Sequence, residues 1–261
     1  MKDFVFKKKF GQNFISDTNL LNAIVKDAQI SQDDEVLEIG AGAGSLTTAL
    51  SGACKKVVSF EIDGDLKEHL LGLNLKNVEF EFCDFMKMSM QEIEKKFTNN
   101  FKVVANLPYY ITTPIIFRLL EESEKVESLT IMVQKEVAER VCAKVGGKDY
   151  GILTVMTNFY GKPKIARIIN RKMFHPEPNV DSALLHIEIE RNKFEGVDNE
   201  KFSEFVKACF SMRRKTLLNN LGGVFGKEKL KDCLSEEVLK KRAEQFSLKE
   251  FVELFVKCQE L

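Results

Sequence analysis

The run Glu35-Val-Leu-Glu-Ile39 passes directly into Gly40-Ala-Gly-Ala-Gly44 and then into Ser45-Leu-Thr-Thr-Ala-Leu50. The first piece is short and mainly apolar, as a buried strand is. The glycines end it, and glycine tolerates turns that a Cβ forbids. The third piece reads as a helix. Strand, glycine turn and helix in that order open a βαβ unit, which commits a chain to parallel pairing with helical crossovers.

The same alternation continues. Strands are predicted at Val57–Glu61, at Val78–Phe82 with Asp84 just beyond, at Phe101–Ala105 with Asn106 next, and at Ser128–Val133. Helices are predicted over Leu66–Leu71, Ile111–Leu120 and Lys135 to about Lys144, and before the first strand a helix capped by Ser16 runs over Leu20–Val25. Ile165–Ile169 and Ala183–Glu190 read as further strands, the second half-buried because Ile187 and Ile189 alternate with charged neighbours. The expected fold is α/β, a Rossmann-like, doubly wound, mostly parallel sheet. Past Arg191 a polar stretch intervenes, and from about Glu200 the pattern is helical only. Two domains are expected, residues 1–191 and a smaller all-helical domain over 192–261.

Charge narrows the function classes. The 39 basic and 39 acidic residues cancel, which excludes a general polycation. They are nevertheless segregated: residues 1–16 carry +3, 31–100 carry −6, and 134–176 and 207–231 carry +6 each. Basic stretches separated by an acidic one suit a polyanion-binding face, with Lys7, Lys8, Lys9, Arg213, Arg214 and Lys215 as candidate phosphate contacts. No apolar run reaches a membrane-spanning length, and the basic N-terminus lacks the apolar core of a secretory signal. Six cysteines occur without a C-x-x-C or a Cys/His cluster. Reduced thiols, a cytoplasmic protein and no metal site are expected.

The glycine turn sits where open α/β sheets bind ligands, beyond the carboxyl ends of the strands. Gly40 and its neighbours are read as letting the backbone approach the ligand. Glu61, 21 residues after Gly40, is placed to accept hydrogen bonds from ribose hydroxyls. The G-x-G-x-G spacing departs from the G-x-G-x-x-G of pyrophosphate loops, and Glu38 beside the first glycine suits an ammonium group. A nucleoside joined to an amino acid, S-adenosylmethionine, meets both conditions. Asp84 is then placed to accept from the adenine amino group. A ligand-free tight turn is the competing reading.

Asn106-Leu-Pro-Tyr109 follows the fourth strand. Its features suit methylation of an exocyclic amine, a poor nucleophile whose lone pair is delocalised into the ring. The Asn106 side-chain oxygen and the Leu107 carbonyl offer two acceptors, Pro108 stiffens the turn, and Tyr109 offers a stacking face for an extruded base. No general base is required, so His175 is not assigned one.

These motifs resemble the ribosomal RNA adenine N6-dimethyltransferase family over nearly the full chain. Lys9-Phe-Gly-Gln-Asn13-Phe-Ile15, Glu38–Gly44, Asn106–Tyr109, Gln134–Arg140 and Phe174-His-Pro-Glu-Pro-Asn-Val-Asp-Ser182 carry the resemblance. Phe210–Thr216 with Asn219-Asn-Leu221 resembles the branch acting on small-subunit (16S) rRNA, as does the Leu of Asn-Leu-Pro-Tyr. Ala41 and Cys83 depart from the usual residues without removing a functional group. The resemblance implies dimethylation of two adjacent adenines in the 3′-terminal hairpin loop of 16S rRNA, within the small ribosomal subunit or its precursor. It assigns cofactor contacts to Asn13, Ile15, Gly40, Glu61, Asp84 and Asn106, and makes Phe174 a second aromatic facing Tyr109 across the base. It implies no oligomeric partner. Three rivals remain: a dinucleotide oxidoreductase, a non-catalytic assembly factor, and a large-subunit rRNA methylase.

Overall fold

The computed structural model describes residues 13–191 and 193–259; Lys7, Lys8 and Lys9 lie outside the described residues. The chain divides into two compact units. One holds residues up to Ala138 together with Lys164–Ile189, the other Glu139–Pro163 together with Glu190 onward. The single cut expected at residue 191 thus gives way to a division in which Glu139–Pro163 joins the C-terminal part.

In the first unit, β1 (Phe14–Ile15) and α1 (Thr18–Asp27) precede β2 (Glu35–Ile39), α2 (Ser45–Ser51), β3 (Lys56–Phe60), α3 (Lys67–Gly72) and β4 (Val78–Glu81). Next come α4 (Met90–Glu94), β5 (Phe101–Asn106), α5 (Thr112–Glu122), β6 (Val126–Gln134) and α6 (Lys135–Val141), which ends in the second unit. After the excursion, β7 (Gly161–Ile169), β8 (Phe174–His175) and β9 (Ser182–Ile189) complete the set. Asp17, not Ser16, caps α1: its side chain accepts from the Leu20 amide at 2.7 Å.

The main sheet runs β4-β3-β2-β5-β6-β9-β7, and β1 pairs with β8 separately. The pairs from β4 through β6 are parallel, while β9 is antiparallel to β6. The crossover from β2 leads to β3 on one side, and the crossover from β5 leads to β6 on the other. The strand order therefore reverses at the carboxyl ends of β2 and β5, where a crevice opens. On one face Val36, Val57, Val104, Met132 and Leu184 meet Leu21, Ile24, Leu46 and Leu50 of α1 and α2 in one core cluster. β9 is half-buried only at its end, where Glu188 is exposed beside buried Ile187; from Ser182 to Ile187 every residue is buried, so both faces of that part are covered. His186 is buried with them, bonded through Nδ1 to Thr130 Oγ1 at 2.9 Å.

The second unit is helical: α7 (Ile152–Tyr160), α8 (Asn199–Cys209), α9 (Leu217–Phe225), α10 (Lys227–Cys233), α11 (Glu236–Lys240) and α12 (Leu248–Cys258). Phe159 of α7 stacks on Phe202 of α8 at 4.4 Å between centroids, and Phe202 meets Phe255 of α12 edge-on. These contacts are what bind α7 to the C-terminal helices. Arg213, Arg214 and Lys215 are exposed on the turn between α8 and α9. Asn220 pins that turn, donating from Nδ2 to the carbonyls of Cys209 and Met212. All six cysteines are free thiols. Among the described residues no helix is long and apolar enough to cross a membrane, and no group of acidic, His or Cys side chains could hold a metal ion.

Candidate active site

A cleft of about 1040 Å³, counting its open mouth, lies at the reversal point. Its walls come from four strand ends and the segment before α1: Gly40 to Ala43 after β2, Glu61 and Ile62 after β3, Cys83 to Met86 after β4, Asn106 to Pro108 after β5, and Asn13 to Ile15. All six expected cofactor contacts, Asn13, Ile15, Gly40, Glu61, Asp84 and Asn106, are brought together there.

The glycine turn is shaped by the protein's own packing. Gly40, Gly42 and Gly44 have φ of +84°, +55° and +79°, which L side chains adopt only under strain. A Cβ on Gly42 would come within 2.8 Å of the Phe14 ring, and one on Gly44 would run into Leu73 and Leu70. The atoms that demand glycine here are side chains of Phe14, Leu70 and Leu73, rather than only a ligand. Amides of Gly40 and Ala41 both donate to the Phe60 carbonyl, which ties the turn to β3.

Glu61 is 4% exposed. Its two oxygens accept from the Gly42 and Asp63 amides at 2.8 Å each. Burial raises its pKa, and those amides pull the other way. The carboxylate is thereby fixed on the cleft wall with acceptor capacity left over. Asp84 Oδ1 accepts from the Met86 amide at 3.0 Å, forming the cap of a short 3-10 turn over Phe85–Lys87.

Glu38 is corrected. It does not line the cleft. Two residues along β2 from Val36, it points to the α2 side, fully buried, and Oε2 accepts from Thr47 Oγ1 at 2.6 Å and Ser59 Oγ at 2.5 Å. Oε1 has no partner. Burial pushes its pKa up to about 7, against the two hydroxyl hydrogen bonds and helped by nearby Glu61. It cannot meet an ammonium group in the cleft, because strand alternation turns it away.

Asn106 Nδ2 donates to the Asn13 carbonyl at 2.8 Å. That bond sets which end of the amide is donor, and leaves Oδ1 as the side chain's acceptor. Leu107 and Pro108 line the cleft beside it. Tyr109 is half-buried and does not line the cleft; its hydroxyl bonds Ser182 Oγ at 2.7 Å, and burial raises its pKa. Tyr110, for which the sequence motifs carry no expectation, lines the cleft and is 67% exposed. Phe174 is corrected as well: it is 4% exposed, pairs with Ile15 across the β1–β8 ladder and packs in the core with Leu21 and Leu184. Its ring offers no open face to a base.

Among the described residues the cleft lining contains two carboxylates, Glu61 and Asp84, and no Lys or Arg. A diphosphate would find no cationic side chain among them. A cationic sulfonium ligand with a ribose and a purine amine meets acceptors, so the residues present fit S-adenosylmethionine and not a dinucleotide.

Comparison with known proteins agrees. The sequence matches the ribosomal RNA adenine dimethylase family over residues 3–259. It is 46% identical over 257 residues to the ribosomal RNA small subunit methyltransferase A of Caldanaerobacter subterraneus subsp. tengcongensis, covering 95% of each chain. It is 40% identical to the protein of the same name from Clostridioides difficile, over 95% of this chain and 89% of that one. The fold is similar to a dimethyladenosine transferase from Plasmodium falciparum, with a TM-score of 0.81, 27% identity and coverage of 95% and 98%. It is also similar to the 23S rRNA methyltransferase ErmE, with a TM-score of 0.68, 27% identity and coverage of 95% and 100%. Since these matches span both the cleft-bearing unit and the helical one, the chain belongs to the ribosomal RNA adenine dimethylase family and is an S-adenosylmethionine-dependent rRNA adenine dimethyltransferase.

Proposed function

We infer that the protein dimethylates N6 of two adjacent adenines in the 3′-terminal hairpin loop of 16S rRNA, on the small ribosomal subunit or its precursor in the cytoplasm. The observation that carries this reading is Asn106, held at the cleft by its bond to Asn13 with Oδ1 left as acceptor. S-adenosylmethionine, when bound, supplies an electrophilic methyl group on a sulfonium sulfur. Glu61 holds the ribose hydroxyls, Asp84 accepts from the purine amine, and Asn13, Ile15 and Gly40 close the remaining wall.

Asn106 Oδ1 and the Leu107 carbonyl accept hydrogen bonds from the target N6 amine, which draws its lone pair away from the ring and toward the cleft. Pro108 keeps the two acceptors in one turn. Tyr109, its hydroxyl anchored to Ser182, holds a ring plane for the base, and exposed Tyr110 extends the aromatic rim. Phe174, packed in the core, is not one of these faces. Lys7, Lys8, Lys9, Arg213, Arg214 and Lys215 supply phosphate contacts that position the RNA without reading its sequence. The curated relatives' names favour the small-subunit substrate over the large-subunit one.

The test is mass spectrometry of adenosines from unmethylated small and large subunits, each incubated with protein and labelled S-adenosylmethionine. Dimethyladenosine confined to two neighbouring positions near the 16S 3′ end is expected. Label only in large-subunit RNA, or binding without any label, defeats the reading.

A further inference from the structure

Helix α5 carries a stripe that begins at Ile111, just before its first turn, and continues through Ile115, Arg118 and Glu122, the spacing of one helical face. Ile111 and Ile115 line the cleft. Arg118, one turn further on, is 8% exposed and does not. Its guanidinium reaches across to the turn that carries Asp84. Nη1 donates to the Phe85 carbonyl at 2.7 Å and Nη2 to the Met88 carbonyl, while Nε donates to Glu122 at 3.1 Å. The guanidinium carbon lies 5.2 Å from the Phe85 ring centroid.

A charge is buried only where its donors are satisfied, and methyl transfer makes no use of this one. What it grips is the far wall of the cleft. Asp84, Phe85 and Met86 all line that wall, and Phe85 packs edge-on against Phe60, which lines it too. The two carbonyls, three residues apart, are spanned by one planar fork, which an ammonium cannot imitate.

The geometry points to Arg118 as a positioning residue for the purine end of the cofactor. By clamping the Phe85 and Met88 carbonyls it braces the turn carrying Asp84 against α5, and so governs cofactor affinity rather than the chemical step. The inference rests on Asp84 as the acceptor for the purine amine.

The test is calorimetric titration of the full-length protein with S-adenosylhomocysteine and with 5′-methylthioadenosine, the latter holding only the nucleoside half. Arg118→Lys should weaken both ligands by about tenfold, and Arg118→Met by at least as much, because the wall they share has shifted. Single-turnover transfer at saturating cofactor should stay within about twofold of wild type, since the acceptors on β5 are untouched. Glu122→Gln leaves the fork on both carbonyls and removes only a pair to a side chain 52% exposed, so both affinities should hold within about twofold. Hydrogen exchange at the amides of Met86 and Lys87 should quicken in Arg118→Lys, a readout that holds even if the Met variant does not fold.

A folded Arg118→Lys that binds both ligands as wild type does overturns the clamp. So does a loss confined to S-adenosylhomocysteine, or unaltered exchange at Met86 and Lys87. Asp84→Ala, which removes both acceptor oxygens, separates the two readings. If it leaves methylthioadenosine affinity unchanged while Arg118→Lys lowers it, the purine contact of Asp84 is wrong and the clamp stands.

Discussion

Removing the Asn106 side chain tests two separate contributions. Asn106→Ala deletes the 2.8 Å bond to the Asn13 carbonyl, which holds the segment before α1 against the cleft. A neutral, part-buried hydrogen bond contributes about 1 kcal/mol, so cofactor affinity should fall roughly fivefold. The same change deletes Oδ1, the acceptor for the target amine. Losing one preorganised group of this kind costs on the order of 10²–10³ in rate. Asn106→Asp sharpens the distinction. It keeps an acceptor but sets a carboxylate oxygen against the Asn13 carbonyl, so the tether is lost outright. Single-turnover methyl transfer at saturating cofactor and RNA isolates the rate effect, and titration with S-adenosylhomocysteine isolates the tether. RNA affinity, dominated by phosphate contacts elsewhere, should change little in either variant. An Asn106→Ala enzyme that transfers methyl at the wild-type rate once saturated would refute the acceptor role, whatever happens to cofactor affinity.

Glu61→Ala should weaken S-adenosylmethionine binding more than tenfold, since charge-assisted hydrogen bonds contribute about 1.5–3 kcal/mol each; unchanged calorimetric affinity would remove Glu61 from the ribose. Glu38 titrates near 7 in the folded protein against a usual 4.5, so the native state keeps its proton to higher pH than the unfolded chain does. The stability this contributes is complete below about pH 4.5 and is lost as pH rises through 7, a change on the order of 3 kcal/mol. Glu38→Gln, neutral throughout, should flatten the decline of Tm between pH 5 and 8; a decline as steep as wild type would show that another group titrates. Replacing Arg213, Arg214 and Lys215 together by Ala should reduce the salt dependence of RNA affinity, with a log–log slope smaller by about 0.7–0.9 for each phosphate that is no longer neutralised. An unaltered slope would return these exposed residues to plain surface.

What the sequence by itself determined is local. Gly40–Gly44, Glu61, Asp84 and Asn106 are legible because each stands at or just past the end of a short apolar run, and such runs in alternation with helices put their carboxyl ends on one edge. The all-helical character after residue 199 is legible in the same way. Period cannot tell what covers a strand or where an isolated side chain is aimed, and there the tertiary structure decided. β9 alternates with charge at its end yet is buried on both faces from Ser182 to Ile187. Glu38 stands beside the glycine turn yet faces α2, since register with Ser59 and contact with Thr47 turn it from the cleft. Neighbours Tyr109 and Tyr110 part company, one tied to Ser182 and the other lining the cleft. Phe174 is claimed by the core through its pairing with Ile15, and Glu139–Pro163 by the helical unit through Phe159. Arg118 carries no expectation from the sequence, and its role depends on the turn from Asp84 to Met88, some thirty residues earlier, being brought against it. Each of these outcomes depends on a partner distant in sequence, and burial of a side chain is a property of that partner as much as of the residue itself.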